Sequence, residues 1–321
     1  MNGAVMDLSF VVPCHNEQDN VKALYDAIRD TCESEGISYE VIMVNDGSKD
    51  ETASRIRALY EEYPEHLTFV DFSRNFGKEA AILAGMKHTR GDAVCFIDAD
   101  LQQNPKVALE MYRKLKASPE YDCVAAYQKD RNEGRVLQFF KNAFYKLINR
   151  LCEIDFVSGA SDFRVCSRRM VDAILSMPEY HRFSKGIFSW VGFETFFMEY
   201  HAEERRSGTS SWSFFKLFKY AIDGIVGYTT VPLRIATMLG ILLSCISIVY
   251  MVVLVIKTLI LGIDVPGYAT TLGFVLLLGG IQLLMLGIIG EYLAKAYIQG
   301  KNRPVYIEKE VLEGKNVGSE G

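Results

Sequence analysis

The sequence lacks the glycine signatures of the common nucleotide-binding folds. No G-x-G-x-x-G follows the first predicted strand, and no G-x-x-x-x-G-K-[ST] occurs in the 321 residues. These absences argue against an ordinary dinucleotide enzyme or a P-loop ATPase. The seven cysteines include no C-x-x-C pair, and Cys245 lies inside a long apolar run. This pattern predicts reduced, unpaired thiols in the cytosol.

The beginning of the sequence carries no recognisable targeting signal. No apolar stretch or arginine-rich leader precedes Ser9, so no cleaved targeting peptide is expected. With 49% hydrophobic residues, 23% charged residues and a net charge of −5, the composition suits a globular domain with a further, lipid-facing part. No internal repeat occurs, and low-complexity sequence is confined to the polar tail after Glu308.

Two long apolar runs predict a membrane hairpin. Ile235 to Ile256 and Ala269 to Gly290 each contain 22 residues without a charge, whereas about 20 are needed to span a bilayer core. A buried core helix is the alternative, but two runs joined by a short turn rich in proline and glycine, 262–267, favour the hairpin. We predict spans at about 235–258 and 269–291.

The basic residues around the two runs predict an orientation. The joining loop, 258–271, contains no lysine or arginine. The flanking basic residues are Arg234 before the first run and Lys295, Lys301, Arg303 and Lys309 after the second. Because lysine and arginine are retained on the cytoplasmic side, we predict an integral membrane protein whose two termini and large first domain are cytoplasmic.

Strand and helix signals alternate from residue 7 to about 160. Repeated units of this kind predict a mostly parallel α/β sheet covered by helices on both faces. The predicted strands are Leu8–Val12, Tyr39–Val44, Leu67–Phe72, Ala93–Ile97 and Tyr121–Ala126, and the predicted helices are Asn20–Cys32, Asp50–Tyr63, Lys78–His88 and Pro105–Ala117. Asn104 is the expected cap of the last helix, which has proline in its first turn.

Polar residues follow three of these strands, at the edge of the sheet where ligands usually bind. The segments are 13–17, 45–50 and 98–102. The second segment, taken alone, could be a turn with a helix cap at Ser48 or Asp50. A nucleotide site instead assigns Asp46 to the base or ribose and the following glycine to close backbone approach.

The third segment, Asp98-Ala99-Asp100-Leu101-Gln102, suggests a divalent-cation site. Asp98 and Asp100 are two apart in extended chain and can face the same side. Their hard oxygen atoms suit Mg²⁺ or Mn²⁺ holding a diphosphate. A solvated strand end is the alternative, because acidic residues are common there.

Five motifs follow one another along the sequence: Val12-Pro13-Cys14-His15-Asn16-Glu17, Val44-Asn45-Asp46-Gly47-Ser48, Asn75-Phe76-Gly77-Lys78-Glu79, Asp98-Ala99-Asp100-Leu101-Gln102 and Ser161-Asp162-Phe163-Arg164. In this order they resemble the motifs of family 2 glycosyltransferases with the GT-A fold. More narrowly, they are similar to those of polyprenyl-phosphate sugar transferases such as the bactoprenol glucosyltransferases and dolichyl-phosphate mannose synthase. Similarity continues through Arg182-Phe183, Arg205 to Ser210 and Arg303-Pro304-Val305-Tyr306, so it covers nearly the whole chain.

The resemblance implies a site for a nucleotide diphospho-sugar. The implied donor-binding residues are Pro13, Asn16, Glu17, Asp46, Lys78, Asp98 and Gln102. Asp98, Asp100 and Gln102 would lie on or beside an Mg²⁺ or Mn²⁺ ion, with Asp100 among the catalytic residues. Lys78 is also the predicted first residue of a helix.

The resemblance also implies a lipid phosphate as acceptor. Its implied phosphate ligands are Arg131, Arg135, Arg182, Arg205 and Ser210, with Arg205 also counted as catalytic. Asp162 is either the catalytic base or a carboxylate that orients Arg164 or an acceptor-binding arginine. One departure from the family pattern occurs at Gly208 to Trp212, where many members have a lysine and this sequence has none.

The expected fold is therefore a GT-A type, Rossmann-like, mostly parallel sheet followed by interfacial amphipathic helices and a two-helix transmembrane hairpin. The expected parts are a cytoplasmic catalytic domain (1–210), the interfacial helices (211–231), the hairpin (232–298) and a cytoplasmic tail (299–321). Aromatic residues interleaved with lysines from Trp212 to Tyr228 support the interfacial assignment. Gln282 inside the second span and Glu291 at its cytoplasmic end are compatible with packing between subunits, so we expect a homo-oligomer.

The expected activity is inverting transfer of a hexose from a nucleotide sugar, by preference UDP-glucose or a related UDP-sugar, to polyprenyl phosphate on the cytoplasmic leaflet. Use of GDP-mannose is an alternative, and a non-catalytic nucleotide-sugar-binding partner of a flippase is another. A processive polysaccharide synthase is disfavoured, since the sequence has neither a Q-x-x-R-W motif nor further spans. No nucleic acid partner is expected.

Overall fold

The computed structural model describes residues 6–127, 149, 160–200, 226–261 and 267–315. Described residues up to position 200 and from 303 onward group into one compact unit, and those of 226–302 group into a second. The first unit carries a single mixed sheet. The second consists mainly of two long helices.

Eight strands of the first unit form the sheet, in the order β7-β5-β6-β4-β1-β2-β3-β8. Their bounds are β1 Leu8–Cys14, β2 Tyr39–Asn45, β3 Leu67–Phe72, β4 Ala93–Phe96, β5 Cys123–Tyr127, β6 Ala160–Ser167, β7 Thr195–Glu199 and β8 Glu308–Leu312. β1 pairs in parallel with both β2 and β4, and β2 with β3. The chain reverses its direction of travel across the sheet at β1, and ligands usually bind outside the strand ends at such a point.

Helices cover both faces of this sheet. Their bounds are α1 Val21–Ser34, α2 Thr52–Glu62, α3 Lys78–Lys87, α4 Pro105–Ala117, α5 Arg168–Leu175 and α6 Ser184–Trp190. Alternate strand residues point to opposite faces, so Phe10 packs with residues of α1, α2 and α4, whereas Val11 packs with residues of α3, α5 and α6. Asn104 caps α4 as expected, accepting a hydrogen bond from the Lys106 amide at 2.9 Å.

The first five strands and four helices match their predicted positions to within a few residues, and the mostly parallel α/β architecture is confirmed. β6, β7 and β8 were not predicted. β6 pairs antiparallel with β4 and β5, and β8 pairs antiparallel with β3. The sheet is therefore mixed at its flanks and parallel at its centre, where the expected site lies.

The second unit contains α7 (Val231–Leu261) and α8 (Tyr268–Gly300). Both helices are long and apolar enough to cross a membrane, with candidate spans at Val231–Val253 and Gly273–Gly300. Their apolar stretches are not buried within the structure, which argues against the alternative of buried core helices. The Tyr292 hydroxyl donates to the Thr229 carbonyl at 2.7 Å within this unit. The predicted interfacial helices fall largely on 211–225, outside the described residues.

Candidate active site

Hydrogen bonds join the loops after β1 and β2. The Asn16 amide donates to Ser48 Oγ at 2.9 Å, and Asn16 Oδ1 accepts from the Lys49 amide at 2.9 Å. His15 Nδ1 lies 2.8 Å from the Asp46 carbonyl oxygen. Asn16 has φ +57°, a left-handed conformation that asparagine tolerates better than most residues. The predicted convergence of these two loops is therefore present.

Asp46 holds a third loop, the one that follows β3. Its buried carboxylate accepts hydrogen bonds from the Phe76 amide at 2.6 Å and from the Gly77 amide at 2.9 Å. These contacts bring the start of α3, and with it Lys78, to the same edge of the sheet. The assignment of Asp46 to a nucleotide base stays a prediction, and its observed role is to fix the loop at 75–77.

Gly47 lies where two backbone segments approach each other closely. Its φ is +59°, and a Cβ atom placed on it would lie 2.4 Å from both Arg74 C and Asn75 N. The segment that approaches this glycine is the loop after β3, and the expected approach of its backbone to a nucleotide stays a prediction. No flexible side chain could move aside, because the contacted atoms are backbone.

Gly47→Ala should destabilise the protein by about 3 kcal/mol, because the new methyl group combines left-handed strain with a collision against backbone. The matched control is Gly36→Ala. Gly36 has φ +64° but no atom within 4 Å of its Cβ position, so only the strain of about 1–2 kcal/mol should remain. Thermal unfolding of both variants measures the difference. Equal losses would mean that the approach at Gly47 is not tight.

The segment Asp98-Ala99-Asp100, called the D-x-D segment below, follows β4 and is fixed by local hydrogen bonds. Gln103 contacts Asp98 twice: its Oε1 accepts from the Asp98 amide at 2.8 Å, and its Nε2 donates to Asp98 Oδ2 at 3.2 Å. Asp100 Oδ1 accepts from the Gln102 amide at 3.2 Å across Leu101, which has φ +60°. The tight turn places both aspartates at the end of the strand, as the sequence predicted.

Lys78 bridges the D-x-D segment and β6. Its Nζ lies 2.6 Å from Asp98 Oδ1 and 3.3 Å from Asp162 Oδ2. Burial alone would lower the pKa of Lys78, but the attraction of the two carboxylates raises it above the ordinary value. Burial likewise opposes ionisation of Asp162, yet the charge of Lys78 holds the pKa of Asp162 below its usual range. Both groups are therefore charged near neutrality.

Glu17 lies close enough to Asp98 and Asp100 for their charges to affect its ionisation. Its pKa is raised, first by burial and then by repulsion from Asp100 and Asp98. No group of three or more metal-ligating side chains is found in the described part of the chain. Two carboxylates are sufficient for Mg²⁺, which usually keeps several waters and binds substrate phosphates as well. The donor set therefore fits a divalent ion shared with a diphosphate.

The predicted acceptor-binding residues are only partly described. Arg182, before α6, donates from Nη1 to the Met177 carbonyl at 3.1 Å. Arg164 is buried in β6 and donates to the Ser161 carbonyl at 2.8 Å, while Asp162 pairs with Lys78. Arg131, Arg135, Arg205 and Ser210 lie outside the described residues, and their roles stay predictions.

Sequence reasoning missed two functional neighbours. Gln103, adjacent to the predicted ligand Gln102, is the amide that holds Asp98. Glu79 accepts hydrogen bonds from the amide and hydroxyl of Ser184 and so anchors the start of α6 to α3. The Asn75-Phe76-Gly77-Lys78-Glu79 motif was the available signal, because both of its charged residues proved to contact other segments of the site.

Two family models match this sequence over the two units. The model described as Glycosyl transferase family 2 matches residues 9–175. The chain belongs to glycosyl transferase family 2. A second model, described as the GtrB C-terminal hairpin, matches residues 231–296. The predicted family is thus confirmed, and the hairpin match agrees with the two apolar helices and indicates membrane association.

Family 2 relatives align over nearly the full length. The SfII prophage-derived bactoprenol glucosyl transferase of Shigella flexneri is 40% identical over 96% of this chain and 99% of its own. An uncharacterised glycosyltransferase, sll0501 of Synechocystis, is 41% identical over 95% of this chain and 96% of its own. Among solved structures, mannosyl-3-phosphoglycerate synthase from Rubrobacter xylanophilus is 18% identical over 68% of this chain and 71% of its own, with a TM-score of 0.48.

Proposed function

We propose that this protein transfers a glucosyl group from UDP-glucose, or a related UDP-sugar, to a polyprenyl phosphate with inversion at the anomeric carbon. The observation that carries the proposal is the meeting of Asp98, Lys78 and Asp162 beside the loops after β1 and β2, at the point where the chain reverses across the sheet. Full-length relatives that bear the name bactoprenol glucosyl transferase support the choice of donor sugar and acceptor.

Asp98 and Asp100 would hold Mg²⁺ or Mn²⁺, with Gln102 beside them. The ion, when bound, neutralises charge that develops on the departing nucleoside diphosphate. The chain's own part is to fix the two carboxylates: Gln103 holds Asp98, and the turn at Leu101 holds Asp100. Rigid ligands of this kind lose little freedom when the donor binds.

The acceptor supplies its own nucleophile. A phosphate oxygen forms a bond to the anomeric carbon while the bond from that carbon to the diphosphate oxygen breaks, and the leaving diphosphate takes the electron pair. A phosphomonoester has a second pKa of about 6, so it is largely ionised near neutrality and needs no strong base. The lowered pKa of Asp162 makes this carboxylate a weak base. We therefore assign Asp162 a positioning role, through Lys78, over that of general base.

Asp162→Asn should lower kcat by about ten- to a hundredfold, because Lys78 loses one of its two carboxylate partners, without changing the shape of the pH profile. The measurement is kcat against pH from 5.5 to 9 for wild type and variant. If Asp162 were the base, its low pKa would keep it ionised over this range, so it could deprotonate the monoanionic acceptor and wild type would show no acidic limb. An acidic limb near the acceptor's pKa of about 6 in the variant alone would therefore contradict the positioning role.

The hairpin would keep the enzyme in the membrane that contains its lipid acceptor. Arg234 lies in the first turn of α7 and Lys295 near the end of α8, both away from the connection between the two helices, which favours cytoplasmic termini. A cytoplasmic site also matches the location of nucleotide sugars. We accordingly propose that the product forms on the cytoplasmic leaflet.

One experiment tests the proposed function. Purified protein is incubated with polyprenyl phosphate, Mg²⁺ or Mn²⁺, and a panel of nucleotide sugars that includes UDP-glucose and GDP-mannose, and the lipids are identified by mass. We expect a polyprenyl-phospho-hexose from UDP-glucose. Product from GDP-mannose alone would favour the mannose alternative. No product from any donor in either metal would favour a non-catalytic binding role.

A further inference from the structure

We propose that Lys78 is a positioning residue that opposes metal binding at Asp98 until the donor diphosphate arrives. The divalent ion would then enter the site together with the nucleotide, and the ammonium group would shift toward Asp162. This inference rests on the proposed function for the identity of the donor. Its geometric basis is independent of the reaction and consists of the contacts of Lys78.

The first step of the argument is that Lys78 and the metal share one ligand. Lys78 Nζ lies 2.6 Å from Asp98 Oδ1, and Gln103 Nε2 lies 3.2 Å from Asp98 Oδ2. Both oxygens of the carboxylate thus already accept from protein donors. A divalent cation on Asp98 would lie within a few ångströms of the Lys78 ammonium group, and their repulsion weakens the binding of the bare ion.

The second step is that Lys78 has another carboxylate to pair with. Asp162 Oδ2 lies 3.3 Å from the same nitrogen atom, and Lys78 projects from the first turn of α3 on a flexible four-carbon side chain. The Lys78 side chain is 42% exposed and those of Asp98 and Asp162 are each 31% exposed. The ammonium group can therefore move from Asp98 toward Asp162 and still keep an ion-pair partner.

The third step is the charge balance when a nucleoside diphosphate is present. The diphosphate brings negative charge that offsets both the metal and Lys78, so metal and nucleotide should bind with positive coupling. After transfer, departure of the diphosphate would remove that compensation. Lys78 would then favour release of the ion together with the nucleotide.

The test compares Lys78→Met, Lys78→Arg and Lys106→Met as full-length proteins in detergent. Lys106 begins α4 directly after the D-x-D segment, is exposed, and has no ion-pair partner among the described residues. Mn²⁺ affinity is measured from the free-ion electron paramagnetic resonance signal, first with Mn²⁺ alone and then with UDP. Transfer activity is measured separately.

In Lys78→Met, Mn²⁺ alone should bind about tenfold more tightly, because a unit charge near the ion is gone. The gain in Mn²⁺ affinity on adding UDP should shrink by a similar factor, while kcat falls. Lys78→Arg should keep the wild-type affinity for Mn²⁺ alone, and Lys106→Met should match wild type throughout. A merely structural role for Lys78 would lower metal affinity and activity together.

Unchanged or weaker binding of Mn²⁺ alone in Lys78→Met would overturn the proposal. The outcome is separable from that of the proposed function. If no nucleotide sugar yields a glycolipid but Lys78→Met still tightens Mn²⁺ binding, the function fails and the role of Lys78 stands. If the glycolipid forms but Lys78→Met does not change the affinity for Mn²⁺, the proposed function stands and the role of Lys78 fails.

Discussion

Asp98→Asn should reduce sugar transfer by about a hundredfold or more, because the change removes the negative charge on which both the divalent ion and Lys78 depend. Asn keeps the size of the side chain and one oxygen acceptor, so the turn held by Gln103 should survive. The measurement is initial rate at saturating donor and acceptor, with Mn²⁺ titrated over a wide range. We expect the loss to persist at the highest metal concentration.

Asp92→Asn is the matched control for this result. Asp92 lies directly before β4, at the opposite end of the strand from Asp98, and pairs with exposed Lys116 at 3.2 Å. Exposed ion pairs contribute little, so activity should stay within about twofold of wild type. Near-normal transfer by Asp98→Asn, with a normally folded protein, would remove Asp98 from the metal site.

Tyr306→Ala should lower the free energy of unfolding by about 3 kcal/mol, because it removes a large buried ring from the core. Tyr306 is 8% exposed, and its ring stacks on Phe72 with centroids 4.9 Å apart. Lys87 Nζ lies 5.0 Å from the same ring. A loss of this size corresponds to a fall in Tm of about 6–12 °C for a domain of 150–250 residues.

Ile307→Ala is the control for the tyrosine variant, because the neighbouring side chain is 53% exposed. Its backbone carbonyl accepts from the Ser73 amide at 3.0 Å, and that bond is retained in the alanine variant. The expected loss is below about 0.5 kcal/mol. Thermal unfolding in detergent measures both variants. If the two lost equal stability, the segment after α8 would contribute little to the core of the first unit.

The central part of the fold was predictable because its signals are local. Each βαβ unit contains a short apolar run, a helical periodicity of apolar residues and a polar loop within about thirty residues. Gly47 was predictable for the same reason, since a glycine directly after Asp46 indicates a turn of special conformation. Lys78 was correctly placed at a helix start from its position after Gly77.

The contacts between distant segments were not predictable. β8 carries charged residues such as Glu308 and Lys309 and shows no clean alternation, and its partner strand lies far away in sequence. The pairing of Lys309 with Asp71 joins residues 238 positions apart. Likewise, the ion pair between Lys78 and Asp162 joins residues 84 positions apart. A single sequence can therefore mark each residue as a candidate for the site, but it cannot show that the two are in contact. Gln103 was not singled out because its contact with Asp98 depends on the turn at Leu101, which the sequence does not reveal. The role of Gln102 stays a prediction.

The position of β8 has a consequence for biosynthesis. Residues 308–312 complete the edge of the sheet beside β3, yet they are translated after both apolar helices, which end at Gly300. The nascent sheet therefore leaves the ribosome with β3 as a bare edge while the two helices are made. The first unit can be completed only after both helices have been synthesised, so the order of synthesis ties maturation of the sheet to formation of the hairpin.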